Sequence, residues 1–160
     1  MKKFLTILFL TLSMTTWTNA EVVRTAPDFS WESFNGTSRT LSSLGKQPVV
    51  LIIAPSPKSG SFKKQLKQLV KIYRQYAGRE TVFVAAFTQE PGMVESDIPF
   101  LYARDTQTLA ANYGLENEKF ELVVIGPDRN MDLITNNVVS GERVRDVIDN
   151  SYTRQSIRRK

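Results

Sequence analysis

Val49-Val50-Leu51-Ile52-Ile53-Ala54-Pro55-Ser56-Pro57-Lys58-Ser59-Gly60-Ser61-Phe62 decides how this chain folds. The run from Val49 to Ala54 is apolar throughout and rich in β-branched residues. Such a run predicts a strand with both faces buried. Pro55 and Pro57 end it, because proline cannot donate to a ladder. Residues 56–61 read as a tight loop. A helix is expected over residues 62–77, since Phe62, Leu66, Leu69, Tyr73 and Tyr76 recur at three- and four-residue spacing and share one face. Lys63, Lys64, Lys67, Lys71 and Arg74 fall mainly on the other faces, and Gly78 is a natural stop.

The same logic extends downstream. Residues 81–87 form a second apolar strand, so strand, helix and strand make a βαβ unit with parallel pairing and a right-handed crossover. Residues 88–99 read as a loop, with Pro91-Gly92 as its turn signal. Asp105 or Thr106 caps a short helix that reaches about Tyr113 and stops at Gly114. Residues 120–125 form a third strand, the turn chemistry of residues 126–130 follows, and residues 131–134 return antiparallel. Ser140 or Gly141 opens a last helix with Val144, Val147 and Ile148 on one face. Upstream, Ala26-Pro27-Asp28-Phe29 marks extended chain, Trp31 and Phe34 are core or edge anchors, and Leu41-Ser42-Ser43-Leu44 forms one turn of helix. Tyr102, Tyr113 and Phe120 belong to the core rather than to a ligand platform. The order β, α, β, α, β, β, α specifies an α/β, thioredoxin-like domain. Its central mixed sheet is expected to have about four to five strands flanked by helices.

The ends carry different signals. Lys2 and Lys3, an apolar run through Met14 and the small-residue site Thr18-Asn19-Ala20 read as a signal peptide over residues 1–20. Residues 21–40 are an N-terminal extended segment, residues 41–150 the domain, and residues 151–160 a basic tail with Arg154, Arg158 and Arg159. No later stretch is apolar enough to span a bilayer, so the expected location is periplasmic or secreted. The formal charge is +5, of which Lys2 and Lys3 account for two.

The chain contains no cysteine and no histidine. Disulfide exchange and thiol peroxidase cycles need a thiolate and are excluded. Zinc and copper sites lose their usual ligands. Glu95 and Asp97, like Glu116, Glu118 and Glu121, lack the spacing of a calcium loop, so no structural metal and no cofactor are expected.

Three stretches carry a family resemblance. Val49-Val50-Leu51-Ile52-Ile53-Ala54-Pro55-Ser56, with Gln65-Leu66 and Leu69 after it, resembles the opening of a peroxiredoxin-like domain. That domain is shared by sushi-repeat-containing matrix proteins, equarin and short exported bacterial proteins. Phe120-Glu121-Leu122-Val123-Val124-Ile125-Gly126-Pro127-Asp128 is similar to its second hallmark, a strand running into a Gly-Lys-Asp-Gly turn. Ile148-Asp149 with Arg154-Gln155 and Arg158 is similar to its third. The chain departs by placing Pro127 at the family's lysine and Arg129-Asn130 where glycine is favoured, and by lacking a Met-Pro-Met run after Ile148-Asp149. The resemblance implies a thioredoxin fold of unknown function without a redox pair, with animal members similar to matrix and adhesion proteins. It supplies no catalytic residue.

Where a thioredoxin-like domain carries its Cys-x-x-Cys, this chain has Lys58-Ser59-Gly60-Ser61. Ser56, Lys58, Ser59 and Ser61 are a candidate anion or ligand loop at a helix N-terminus, against the simpler reading of Ser59 or Ser61 as a helix cap. Lys63, Lys64, Lys67, Lys71, Arg74, Arg154, Arg158 and Arg159 are a candidate basic surface, against an ordinary solvated face. The leading expectation is an exported, non-catalytic binding or interaction protein of the cell envelope. Its partner would be an envelope protein or an acidic polymer, and nucleic acid is not the expected one. The alternatives are a non-thiol enzyme using the loop at the first helix and a structural or assembly partner of a larger envelope protein.

Overall fold

The computed structural model describes residues 24–32, 35–77, 80–115 and 119–158, with side chains to residue 151. The leader expected over residues 1–20, Phe34, Glu116, Glu118, Arg159 and the side chains of Arg154 and Arg158 lie outside the described residues. The strands are β1 (Ser30–Glu32), β2 (Ser38–Thr40), β3 (Val49–Ala54), β4 (Val82–Phe87), β5 (Phe100–Ala103), β6 (Glu121–Ile125) and β7 (Met131–Thr135). The helices are α1 (Gly60–Lys71), α2 (Tyr73–Ala77), α3 (Thr106–Asn112) and α4 (Gly141–Arg158), with a 3-10 turn at Leu41–Ser43.

Among the described residues, the seven strands form one sheet in the order β2-β1-β5-β4-β3-β6-β7. Strand β3 lies inside it, parallel to β4 and antiparallel to β6, and every one of its residues is buried. Its side chains alternate between two cores. Val50, Ile52 and Ala54 pack with Phe62, Leu69 and Tyr76 from α1 and α2 and with Val144 and Ile148 from α4. Val49, Leu51 and Ile53 face Trp31, Phe29, Leu109 and Tyr113. A strand buried on both faces needs such a layer on each side.

The sheet has seven strands rather than the four or five expected, because three short ones were not read from the sequence. Strands β1 and β2 come from the segment before residue 41, and β5 follows the loop of residues 88–99. The expected single helix over residues 62–77 begins at Gly60 and breaks at Ile72 into α1 and α2. The last helix continues through Arg158, so residues 151–158, read from the sequence as a basic tail beyond the domain, are helical. Tyr102 is half-buried, whereas Tyr113 and Phe120 are buried as expected.

Two core tyrosines make the fold sensitive to alkali. The Tyr76 hydroxyl donates to the Gly141 carbonyl at 2.8 Å and the Tyr113 hydroxyl to the Pro27 carbonyl at 2.9 Å. Burial is the main force holding both phenols well above the ordinary tyrosine range. Glu142 and Asp146 add to it at Tyr76, where Arg145 opposes, and Asp28 and Glu121 add to it at Tyr113. A folded-state pKa above the unfolded one gives stability that is complete below the unfolded value, about 10, and is lost as pH rises above it. The urea midpoint is therefore expected to fall between pH 9 and pH 11, less steeply in Tyr76→Phe. Parallel slopes for the two proteins would refute the assignment to Tyr76.

Candidate functional site

The loop between β3 and α1 stands where the sequence placed its first candidate site. Ser59 is the N-cap of α1, with extended backbone (φ −61°, ψ 144°), and its carbonyl accepts the first helical bond from Lys63 at 3.0 Å. Its hydroxyl does not cap the helix. The Ser59 Oγ is buried with no hydrogen-bond partner among the described residues. The loop is instead tied by its backbone and by Ser56. The Ser59 amide donates to the Ser56 carbonyl at 3.1 Å, and the Lys58 amide donates to the Ser56 Oγ at 3.3 Å. Ser61 is exposed on the first turn of α1.

A segment more than thirty residues downstream covers this loop. The Pro55 carbonyl accepts the amides of Gln89 at 3.0 Å and Glu90 at 2.9 Å. Gly92 lies so near Pro57 that an added Cβ would stand 2.8 Å from the Pro57 Cγ. The Lys58 ammonium pairs with the Glu90 carboxylate at 3.1 Å, both side chains well exposed. Glu90 thus places a negative charge over the position proposed to hold an anion, and an incoming anion must compete with it. The concave surfaces near Leu66 (about 750 Å³) and near Met93 (about 610 Å³) include none of residues 54–61.

The basic surface is more coherent. Lys63, Lys64, Lys67, Lys71 and Arg74 are all exposed. At 100° per residue they occupy the arc opposite Phe62, Gln65, Leu69 and Tyr76, the residues that α1 and α2 bury. None of the five cations forms an ion pair with a described residue; Lys71 only donates to Gln68 Oε1, at 3.5 Å. Helix α4 crosses this pair near its own start, where Arg145 donates to Gln75 Oε1 at 2.7 Å. Arg154 and Arg158 lie more than two turns of α4 beyond that crossing. The backbone therefore does not lay them alongside Lys63 and Lys64.

Sequence reasoning missed three features here. Glu90 and Gly92 meet the loop across a long separation that no local pattern reports. Gln65 is fully buried and was not counted on the inward face. Glu95 and Asp97, weighed only as metal ligands, line the groove beside Leu66, Lys67, Val70 and Lys71.

Comparison with known proteins places this geometry. Residues 41–156 match the model of a family described as a domain of unknown function, DUF4174. No curated protein matches the sequence. Among solved structures, the chain is similar to a putative thiol:disulfide interchange protein DsbE from Chlorobium tepidum: 16% identity, TM-score 0.63, covering 81% of this chain and 96% of that one. It is similar to peroxidoxin BcpB from Mycobacterium tuberculosis at 21% identity and TM-score 0.59, covering 82% and 96%. It is also similar to the reduced 2-Cys peroxiredoxin of Plasmodium vivax at 16% identity and TM-score 0.61, covering 82% and 97%. Identities this low establish the thioredoxin-like fold alone. The absence of cysteine leaves that fold's thiol chemistry without a reacting atom.

Proposed function

The chain belongs to the family described as a domain of unknown function, DUF4174, and from that premise we propose that it is a non-catalytic, exported binding module of the cell envelope whose α1 outer face holds an acidic polymer. One observation carries the reading: five neighbouring cations, Lys63, Lys64, Lys67, Lys71 and Arg74, stand exposed with no carboxylate paired to them among the described residues. An ordinary solvated helix face interleaves acids with bases. This one leaves an uncompensated positive stripe of roughly 16 Å, long enough to track several charges of a sulfated or phosphorylated polymer. The loop of residues 54–61 is the weaker candidate, because Glu90 already neutralises Lys58 there. Residues 1–20, with their leader pattern, support export to a compartment where anionic glycans and lipid phosphates are at hand.

Heparin serves as the probe. Its binding is expected to weaken steeply with salt, log K falling with log salt at a slope of about −3 for five cations partly engaged. The double variant Lys63→Ala/Lys64→Ala is expected to bind about tenfold more weakly at low salt and to flatten the slope by about 1. Salt-independent binding, or equal affinity in the variant, would remove the proposal. So would turnover of a thiol, peroxide or ester substrate that disappears in Lys58→Ala.

A further inference from the structure

The groove beside α1 holds both halves of an electrostatic match. One bank carries Lys67 and Lys71, the other Glu95 and Asp97, and Leu66 and Val70 supply apolar surface between them. All four charged residues are exposed, and none forms an ion pair with a described residue, so the banks do not close on each other. Val70 is 37% exposed, whereas the other large apolar side chains of α1, Phe62, Leu66 and Leu69, are buried or half-buried. Apolar surface left open between charged rims is the pattern of an interface core with its rim.

We propose that the occupant of this groove is a second copy of the same chain, bound about a two-fold axis running along the groove. The charges select that axis. Turning a copy over about a line parallel to the groove exchanges its banks. The lysines of each copy then face the carboxylates of the other, and the match is made twice. Turning it over about a line across the groove sets lysine against lysine and carboxylate against carboxylate. A surface that is its own complement is what an isologous pair requires. The apolar strip around Val70 supplies adhesion, while the exposed rim pairs fix register and orientation. Lys63, Lys64 and Arg74 do not line the groove. The pair engages Lys67 and Lys71 and leaves those three outside it, so a polymer meets two sets of three cations where a single copy offers one set of five, and the gain is in avidity.

The test is sedimentation equilibrium of the full chain, without any polyanion, so that it reads self-association independently of heparin binding. Two variants each reverse one bank: Lys67→Glu/Lys71→Glu makes both banks acidic, and Glu95→Lys/Asp97→Lys makes both basic. All four sites are exposed, so both variants are expected to fold, with circular dichroism as the check. The wild-type chain is expected to dimerise, and each variant alone to dimerise at least about tenfold more weakly. An equimolar mixture of the two is expected to recover the dimer as a heterodimer, since an all-acidic groove then meets an all-basic one. Val70→Asp is expected to abolish pairing without any compensating mixture. A wild-type chain that stays monomeric overturns the proposal. So does a dimer indifferent to either reversal, or a weakened pair that mixing does not restore.

Discussion

Replacing Gln65 with alanine is expected to destabilise the fold by about 3–4 kcal/mol and to lower its melting temperature by about 10–15 °C. Gln65 sits on the inward face of α1 with no solvent exposure. Its amide forms a two-point clamp on the backbone of one residue: Nε2 donates to the Val139 carbonyl at 3.1 Å, and Oε1 accepts the Val139 amide at 2.9 Å. The side chain thereby does what a neighbouring strand would do, satisfying both backbone groups of a segment that has left the sheet. Alanine leaves a cavity and strands two polar groups with restricted access to water. Each of those losses is worth on the order of 1–3 kcal/mol. A sharper check is Gln65→Glu. At neutral pH it turns a buried carboxylate toward a carbonyl. On protonation it can again donate to Val139, so its folded-state pKa is raised and its stability, measured against wild type, recovers as pH falls. Urea titrations at pH 7 and pH 4.5 measure both effects. A loss below about 1 kcal/mol for the alanine variant, or no relative recovery of the glutamate variant in acid, would show that the clamp does not hold α1.

Gln65 also marks where the sequence stops being legible. Its position on the buried face follows from helical geometry, but glutamine normally reads as surface, and the partner that makes burial tolerable lies 74 residues away. The clear parts were those whose period or composition is self-sufficient: the all-apolar β3, the turn at residues 126–130 and the helix start at Gly141. Strands β1, β2 and β5 have three or four residues each, too few to express a period of two, and they exist only because β4 offers β5 an edge and β5 offers one to β1. The break at Ile72 was hidden because Phe62, Leu69 and Tyr76 keep helical phase across it. The extension of α4 was hidden because its last turns carry charge rather than an apolar stripe. At the candidate site, Lys58 and Ser59 were found because they are contiguous in the chain. Glu90, which neutralises Lys58, and the Glu95 and Asp97 bank opposite Lys67 and Lys71 were not, because tertiary contact alone brings them there.

Gly141→Ala is expected to lower stability by about 3 kcal/mol and the melting temperature by about 10 °C. The cause is space rather than backbone strain, because Gly141 does not need a left-handed conformation. An added Cβ would stand 2.4 Å from the Gln68 carbonyl oxygen and 2.9 Å from the Ile72 Cγ1. The isoleucine can turn aside, but the carbonyl belongs to the body of α1 and cannot, so α4 must move away. That movement reaches two other contacts on the same seam, the Tyr76 hydroxyl on the Gly141 carbonyl and the Gln65 clamp at Val139. The three are coupled. In a double-mutant cycle, Gly141→Ala with Gln65→Ala is expected to fall short of the sum of the single effects by about 1 kcal/mol, because the second change disrupts a seam already opened. Strict additivity would mean the glycine and the glutamine act separately. The seam also connects stability to binding: it sets the roll of α1, and that roll directs Lys63, Lys64 and Lys67 outward together. Heparin affinity in Gly141→Ala, measured where the variant remains folded, is accordingly expected to drop by a factor of about 2–3 although no cation is altered.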